Sequence, residues 1–218
     1  MAQVAVIGLG RFGFHVARHA FLEGHQVLAL SNDPHSVQEI KDFCDRAVVV
    51  DATDRERLEA LGLADFDVVV VSLGERVDAS AIIVLHLREM KVRRIIAKAG
   101  ASEHGRLLEL IGAHEVVYPE REMAQRLARR LRDRNLVDFV PLGTNHGIEE
   151  IELPAEWAGR TLVELRLRNV YGVQVLARVE PLTGNVVVNP EPDIPLVTGD
   201  RLVVLGNNAD LGKLPARR

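Results

Sequence analysis

Short, nearly pure apolar runs punctuate the first half of the chain: Val4-Ala-Val-Ile7, Val48-Val-Val50 and Val68-Val-Val-Val71. Runs this short and this rich in β-branched residues predict strands, and apolar residues at both parities predict cover on both faces. With weaker runs they make six predicted strands: Gln3–Ile7, Gln26–Leu30, Ala47–Val50, Val68–Ser72, Arg94–Lys98 and Glu115–Val117. Between them apolar positions recur at helical spacing, predicting helices near Phe12–Leu22, Pro34–Phe43, Arg55–Leu61, Asp78–Glu89, His104–Ile111 and Glu120–Arg134. Gly24, Gly62 and Gly112 follow three of these helices, where a left-handed residue closes the last turn. Strand and helix alternating six times predict an α/β unit: a parallel sheet with helices on both faces.

The pattern changes around Asp133–Pro141, which sets a domain boundary near residue 135 (1–135 and 136–218). Beyond it the predicted strands are Ile148–Leu153, Val173–Glu180, Val186–Val188 and Arg201–Leu205. Thr161–Leu165 is a predicted short helix, with Thr161 as N-cap and Glu164 closing a capping box. Thr198-Gly-Asp200 is a turn into the last strand. This α+β unit of about 80 residues is too small for a catalytic domain with its own pocket. The preceding helix carries Arg126, Arg129, Arg130, Arg132 and Arg134, which predicts a solvated face balanced by nearby acids.

Composition narrows the class. The 218 residues are 47% hydrophobic, enough for a core in one large or two small domains. A net charge of −4 with no basic stripe argues against nucleic acid as a primary partner. The single cysteine, Cys44, leaves neither a disulfide framework nor a thiolate metal site, which fits a reducing cytosol. No apolar stretch approaches the roughly 18 residues of a membrane span, and the chain opens directly on a strand. A soluble intracellular protein without a signal peptide is expected.

The chemistry begins at the first turn, Gly8-Leu-Gly10-Arg-Phe-Gly13. A Gly-x-Gly-x-x-Gly between a strand and a helix is the dinucleotide fingerprint of Rossmann-type sheets. Gly8 permits the tight turn, Gly10 lets a phosphate approach the backbone, and Gly13 lets the helix pack closely on the sheet. The helix amides and dipole then face an anion. Among the eight histidines only His15 and His19 have a metal-like spacing, and they fit one helix face better. No nucleophile triad or paired carboxylate stands out.

The chain resembles cytosolic regulators of bacterial potassium uptake of the Ktr/Trk type. These join a nucleotide-binding RCK (regulator of K⁺ conductance) domain, TrkA-N, to a small TrkA-C domain. The carriers are Val6-Ile-Gly-Leu-Gly-Arg-Phe-Gly13, Gly24-His-Gln-Val-Leu-Ala29, Asp51-Ala-Thr53, Val70-Val-Ser-Leu-Gly74, Ile96-Ala-Lys98 and Gly112-Ala-His-Glu-Val-Val-Tyr-Pro-Glu120. Leu165-Arg-Leu-Arg-Asn-Val-Tyr-Gly172 and Thr198-Gly-Asp-Arg-Leu-Val-Val-Leu-Gly206 extend the likeness through the second unit. The resemblance implies a regulatory subunit rather than an enzyme. It implies homodimers assembling into an octameric ring beneath a KtrB/TrkH-like membrane subunit, so a cytoplasmic protein peripheral on the inner membrane face. It implies ATP/ADP or NAD(H) as ligand and a divalent cation, Mg²⁺ or Ca²⁺, near the nucleotide, with Glu120 as the carried-over cation ligand.

Residues just past the strand ends face the ligand crevice in such sheets. Arg11, beside Phe12 in the glycine loop, suits phosphate oxygens. Asp51 suits an adenine amino group, with the Ala52 and Thr53 backbone along the base. Ser72, Leu73 and Gly74 leave small groups against ribose and phosphates. Lys98, a cation after an apolar run, demands a phosphate or carboxylate partner. At the end of the second strand the family's usual acid is replaced by Ser31. Asn32 and Asp33 follow, and Asp33 stands 20 residues beyond Gly13 but also reads as an N-cap before Pro34. Two rivals remain. An NAD(P)-dependent oxidoreductase needs a substrate domain with an acid–base group, and a redox-sensing repressor needs a helix-turn-helix.

Overall fold

A computed structural model describes residues 1–74, 76–132 and 136–215. The chain divides into two compact units, Met1–Arg121 and Glu122–Arg218.

The first unit holds β1 (Gln3–Ile7), β2 (Gln26–Ser31), β3 (Arg46–Val49), β4 (Val68–Val71), β5 (Ile95–Lys98) and β6 (Glu115–Val117). All pairings are parallel, in the order β3-β2-β1-β4-β5-β6. This is the expected Rossmann-type sheet. Strand alternation sends β1 side chains to two cores. Ala5 and Ile7 join Leu58, Ile83, Leu87 and Leu108 on one face. Val4 and Val6 join Ala17, Val37 and Ile40 on the other. Those residues belong to the connecting helices α1 (Arg11–Leu22), α2 (Pro34–Ile40), α3 (Arg55–Ala60), α4 (Val77–Glu89) and α5 (Ser102–Ile111). The expected second helix is shorter than its apolar spacing implies: Lys41–Phe43 tightens into a 3₁₀ turn.

Helix α6 (Pro119–Arg132) begins at the end of the first unit. It presents Met123, Leu127 and Leu131 as an exposed apolar stripe at four-residue spacing. Arg126 is paired with Asp138, its Nε 2.7 Å from Oδ1. The side chains of Arg129, Arg130 and Arg132, and Arg134 altogether, lie outside the described residues.

The second unit is a five-stranded antiparallel sheet, in the order β10-β9-β11-β8-β7. Its strands are β7 (Leu136–Leu142), β8 (His146–Glu152), β9 (Gln174–Val179), β10 (Val186–Val188) and β11 (Arg201–Asn207). The hairpin β7–β8 packs tightly because Gly147 has no Cβ, and one built there lies 2.3 Å from the Phe139 ring. Leu136, Phe139, Ile151, Trp157, Leu202 and Val204 form part of the core. The short helices are α7 (Leu162–Leu165), α8 (Leu167–Val170) and α9 (Asn208–Leu211). The expected capping box is complete. Glu164 N donates to Thr161 Oγ1 at 3.2 Å, and Thr161 N donates to Glu164 Oε2 at 2.9 Å.

Candidate functional site

Chain order reverses between β1 and β4, and the strand ends on either side of that switch point frame a crevice, the place where open α/β sheets take ligands. Two hydrogen bonds fix its floor: Gly8 N donates to Leu30 O at 2.8 Å, and Ser72 N donates to Ile7 O at 2.7 Å. Gly8 has φ +92°, and a Cβ there would sit 2.2 Å from Ser72 O. At Gly13 a Cβ would sit 1.9 Å from Gly8 O and 3.2 Å from Ser72 Cβ. Gly8, Gly13 and Ser72 therefore form one close backbone contact. Gly10 differs from both. It is the N-cap of α1 with ordinary extended dihedrals (φ −65°, ψ 179°), and a Cβ there meets nothing within 4 Å. That leaves an open cradle at the positive end of a twelve-residue helix, the arrangement that receives phosphate.

The remaining expected residues lie at or just past the C-terminal ends of the strands and in the first turns of α1 and α6. Arg11, at the first position of α1, is exposed and forms no ion pair among the described residues. It borders a hollow of about 580 Å³ with Leu9, Phe14, His15 and Glu39. On the β2 side, Ser31 is buried and its Oγ accepts from Asp33 N at 3.1 Å. Asn32 is exposed. Asp33 caps α2, accepting from His35 N and Ser36 N. Past β3, Asp51 Oδ1 accepts from Thr53 N at 3.0 Å and from Thr53 Oγ1 at 2.7 Å. Those bonds close a tight turn over buried Ala52 and hold the Asp51 carboxyl below its ordinary range. Past β4, Leu73 is half-buried, and Gly74 is exposed at φ +63°.

Lys98 has found a carboxylate. Its Nζ lies 2.5 Å from Glu120 Oε1 and 5.9 Å from the centre of the Phe12 ring. The Lys98 side chain is only 13% exposed, so the pair offsets the cost of a buried cation. Phe12, Lys98 and Glu120 thus meet at the ends of three elements. The hydrogen bond from Lys98 lowers the Glu120 carboxyl from its usual 4.5. A lowered folded value adds stability above the ordinary glutamate range, and that stability is lost as pH falls through the folded value. Wild type is therefore expected to exceed Glu120→Gln in urea midpoint at pH 6, a gap that closes towards pH 3. The gap is small because Glu120 is largely exposed. A gap constant with pH would show that the pair makes no ionic contribution.

Among the described residues no group of three or more His, Cys, Asp or Glu could hold a metal ion. His15 and His19 sit on one helix face, rings 6.3 Å apart.

The second unit, read from its size as too small for a catalytic domain, has a cavity of about 390 Å³. Arg166, Arg168, Asn169 and Asn189 line it with Leu162 and Val175. Arg166 and Asn189 both take positive φ, at 47° and 49°. Arg166, Arg168 and Asn169 fall within the Leu165–Gly172 stretch that carries the family likeness, but Asn189 comes from beyond β10, so that stretch alone does not mark a hollow.

Two family models match the chain: the TrkA-N domain over residues 4–119 and the TrkA-C domain over residues 148–216. The chain belongs to the TrkA-N/TrkA-C family of RCK proteins. It is 36% identical to the Ktr system potassium uptake protein C of Bacillus subtilis, covering 99% of this chain and 96% of that one. It is 35% identical to the Ktr system potassium uptake protein A of Vibrio alginolyticus, covering 94% and 92%. The fold is shared with the GsuK RCK domain (TM-score 0.53, 22% identity), over 97% of this chain but 45% of that chain. It is likewise shared with the GsuK channel bound to NAD (TM-score 0.54, 22% identity), over 97% of this chain and 37% of that one. As an RCK protein of the Ktr group the chain is a regulatory, non-enzymatic subunit. No helix among the described residues is long and apolar enough to cross a membrane.

Proposed function

We propose that this RCK protein senses an adenine nucleotide, ATP/ADP or NAD(H), and gates potassium uptake through a KtrB/TrkH-like membrane subunit. The observation that carries the ligand is the open cradle at Gly10, beside a turn in which Gly8 and Gly13 pack closely together and onto Ser72. Gly8, Gly10 and Gly13 would hold the phosphates, with Arg11 free to pair with their oxygens. Asp51, Ala52 and Thr53 would border the base, and Ser72, Leu73 and Gly74 the sugar and phosphates. The NAD named in the GsuK channel complex supports this class of ligand. The kinship with Ktr potassium uptake proteins supports the transport partner. Work beneath a membrane transporter puts the protein in the cytoplasm, peripheral on the inner face of the membrane.

Gating requires assembly, because a ligand shifts a conformational equilibrium only through unequal affinity for two states. Homodimers joining into an octameric ring provide two such states. Two apolar surfaces support self-association: the α6 stripe, and Ile82, Leu85 and Leu110 on α4 and α5, all exposed. A divalent cation at Glu120 would have to displace the Lys98 ammonium and recruit carboxylates from a second copy. Light scattering at micromolar concentration is expected to give a dimer or larger ring, shifting with ATP, ADP or NADH. A strict monomer with and without nucleotide would overturn the assembly.

A further inference from the structure

The end of β2 departs from the general rule for dinucleotide sheets. In such sheets a carboxylate about 20 residues past the glycine loop accepts from the ribose hydroxyls. Two positions compete for that role here, Ser31 and Asp33, and the geometry occupies the only acid of the two. Asp33 Oδ1 accepts from His35 N at 3.1 Å. Its Oδ2 accepts from Ser36 N at 3.0 Å and Ser36 Oγ at 2.5 Å. Oδ2 is thus filled by the first turn of α2, and Oδ1 is held against the same turn by His35 N. Ser31 ends β2 and is buried, with its Oγ already accepting from Asp33 N. What remains to it is one donor and one acceptor site, both neutral. Asn32 between them offers only a neutral amide.

Resting on the nucleotide-binding role proposed above, we infer that the site holds its ligand without a carboxylate lock on the ribose. It therefore accepts 2′-deoxyadenine nucleotides nearly as well as their ribose counterparts. Ser31 is the residue that sets this specificity. One neutral hydrogen bond discriminates by a few-fold, whereas a bond to a charged acceptor discriminates by roughly tenfold or more. A 2′-phosphate is a different case: the Asp33 carboxylate stays close by and repels it.

The test is calorimetric titration of the full chain with ADP and with 2′-deoxy-ADP. Wild type is expected to bind the two within about fivefold of each other, and Ser31→Asp to favour ADP by tenfold or more. The wild-type ratio alone decides the matter, so a variant that folds poorly does not block it. A wild-type preference for ADP of tenfold or more would overturn the inference, and would point to Asp51 as the ribose acceptor. Binding of neither nucleotide would overturn the nucleotide-binding role itself, and the inference with it.

Discussion

Gly13→Ala is expected to unfold the first unit at a temperature lower by about 10 °C or more, while Gly10→Val lowers its melting by about 5 °C at most and weakens nucleotide binding. The two glycines stand three residues apart in one motif yet face opposite constraints. A Cβ at Gly13 meets Gly8 O at 1.9 Å, and both partners are backbone inside the same tight turn, so neither can move aside. Overpacking of a rigid contact costs roughly 3 kcal/mol at the upper end of the usual range, a large share of a domain's stability. Gly8→Ala carries a similar penalty, since Gly8 combines φ +92° with a Cβ position 2.2 Å from Ser72 O. Gly10 has an ordinary backbone and open space, so valine there costs at most about 1 kcal/mol through a weaker N-cap. Its isopropyl group instead fills the cradle, and ADP affinity should fall about 10- to 100-fold. Circular dichroism melting and calorimetry separate the two effects. Gly10→Val binding ADP like wild type would remove the glycine loop from phosphate recognition.

The parallel sheet was legible because its strands are apolar on both faces and its helices carry a one-sided stripe. Those signals are local, and they located all six strands of the first unit. Strand β7 was not legible. Its sequence, Leu-Val-Asp-Phe-Val-Pro-Leu, contains an acid and a proline and follows a break in pattern. Proline is tolerated at Pro141 because β7 is the edge of its sheet. Asp138 is tolerated because Arg126, twelve residues earlier, returns to meet it. Neither condition can be read within a window of a few residues.

The candidate site divides in the same way. Gly8, Gly10 and Gly13 follow from motif and context, since the strand-to-helix turn gives each glycine a local reason. Lys98 demanded an anion, but its choice of Glu120 depends on how β5 and α6 are placed by the sheet. The dual character of Asp33 could not be decided from spacing, because an N-cap and a ribose acceptor ask for the same side chain at the same place. The position of the carboxylate oxygens is what distinguishes them.

The second large effect is expected in the other unit, where Asp200→Ala should cost about 3–5 kcal/mol. Asp200 is fully buried at the turn into β11. Its Oδ2 accepts from Val197 N at 2.8 Å, and its own N donates to Val197 O at 3.0 Å, so one residue closes the turn from both sides. The same carboxylate lies 3.0 Å from Arg178 Nε on β9. That contact is one of charge: Arg178 Nε and Asp200 Oδ1 have no aligned hydrogen-bond partner. Alanine would therefore strip the turn of an acceptor and leave a guanidinium, 16% exposed, without its counter-ion. The chain has one tryptophan, Trp157, and it lies in the core of this unit, so its fluorescence in a urea titration reports on this unit alone. Asp200→Asn keeps an acceptor for Val197 N but not the charge, and should fall between wild type and alanine. Adding Arg178→Met to Asp200→Asn should recover part of the loss, because removing both charges removes the unpaired one. If Asp200→Ala moved the tryptophan transition by less than about 1 kcal/mol, Arg178 would be reaching solvent by itself, and the turn would owe its stability to the backbone.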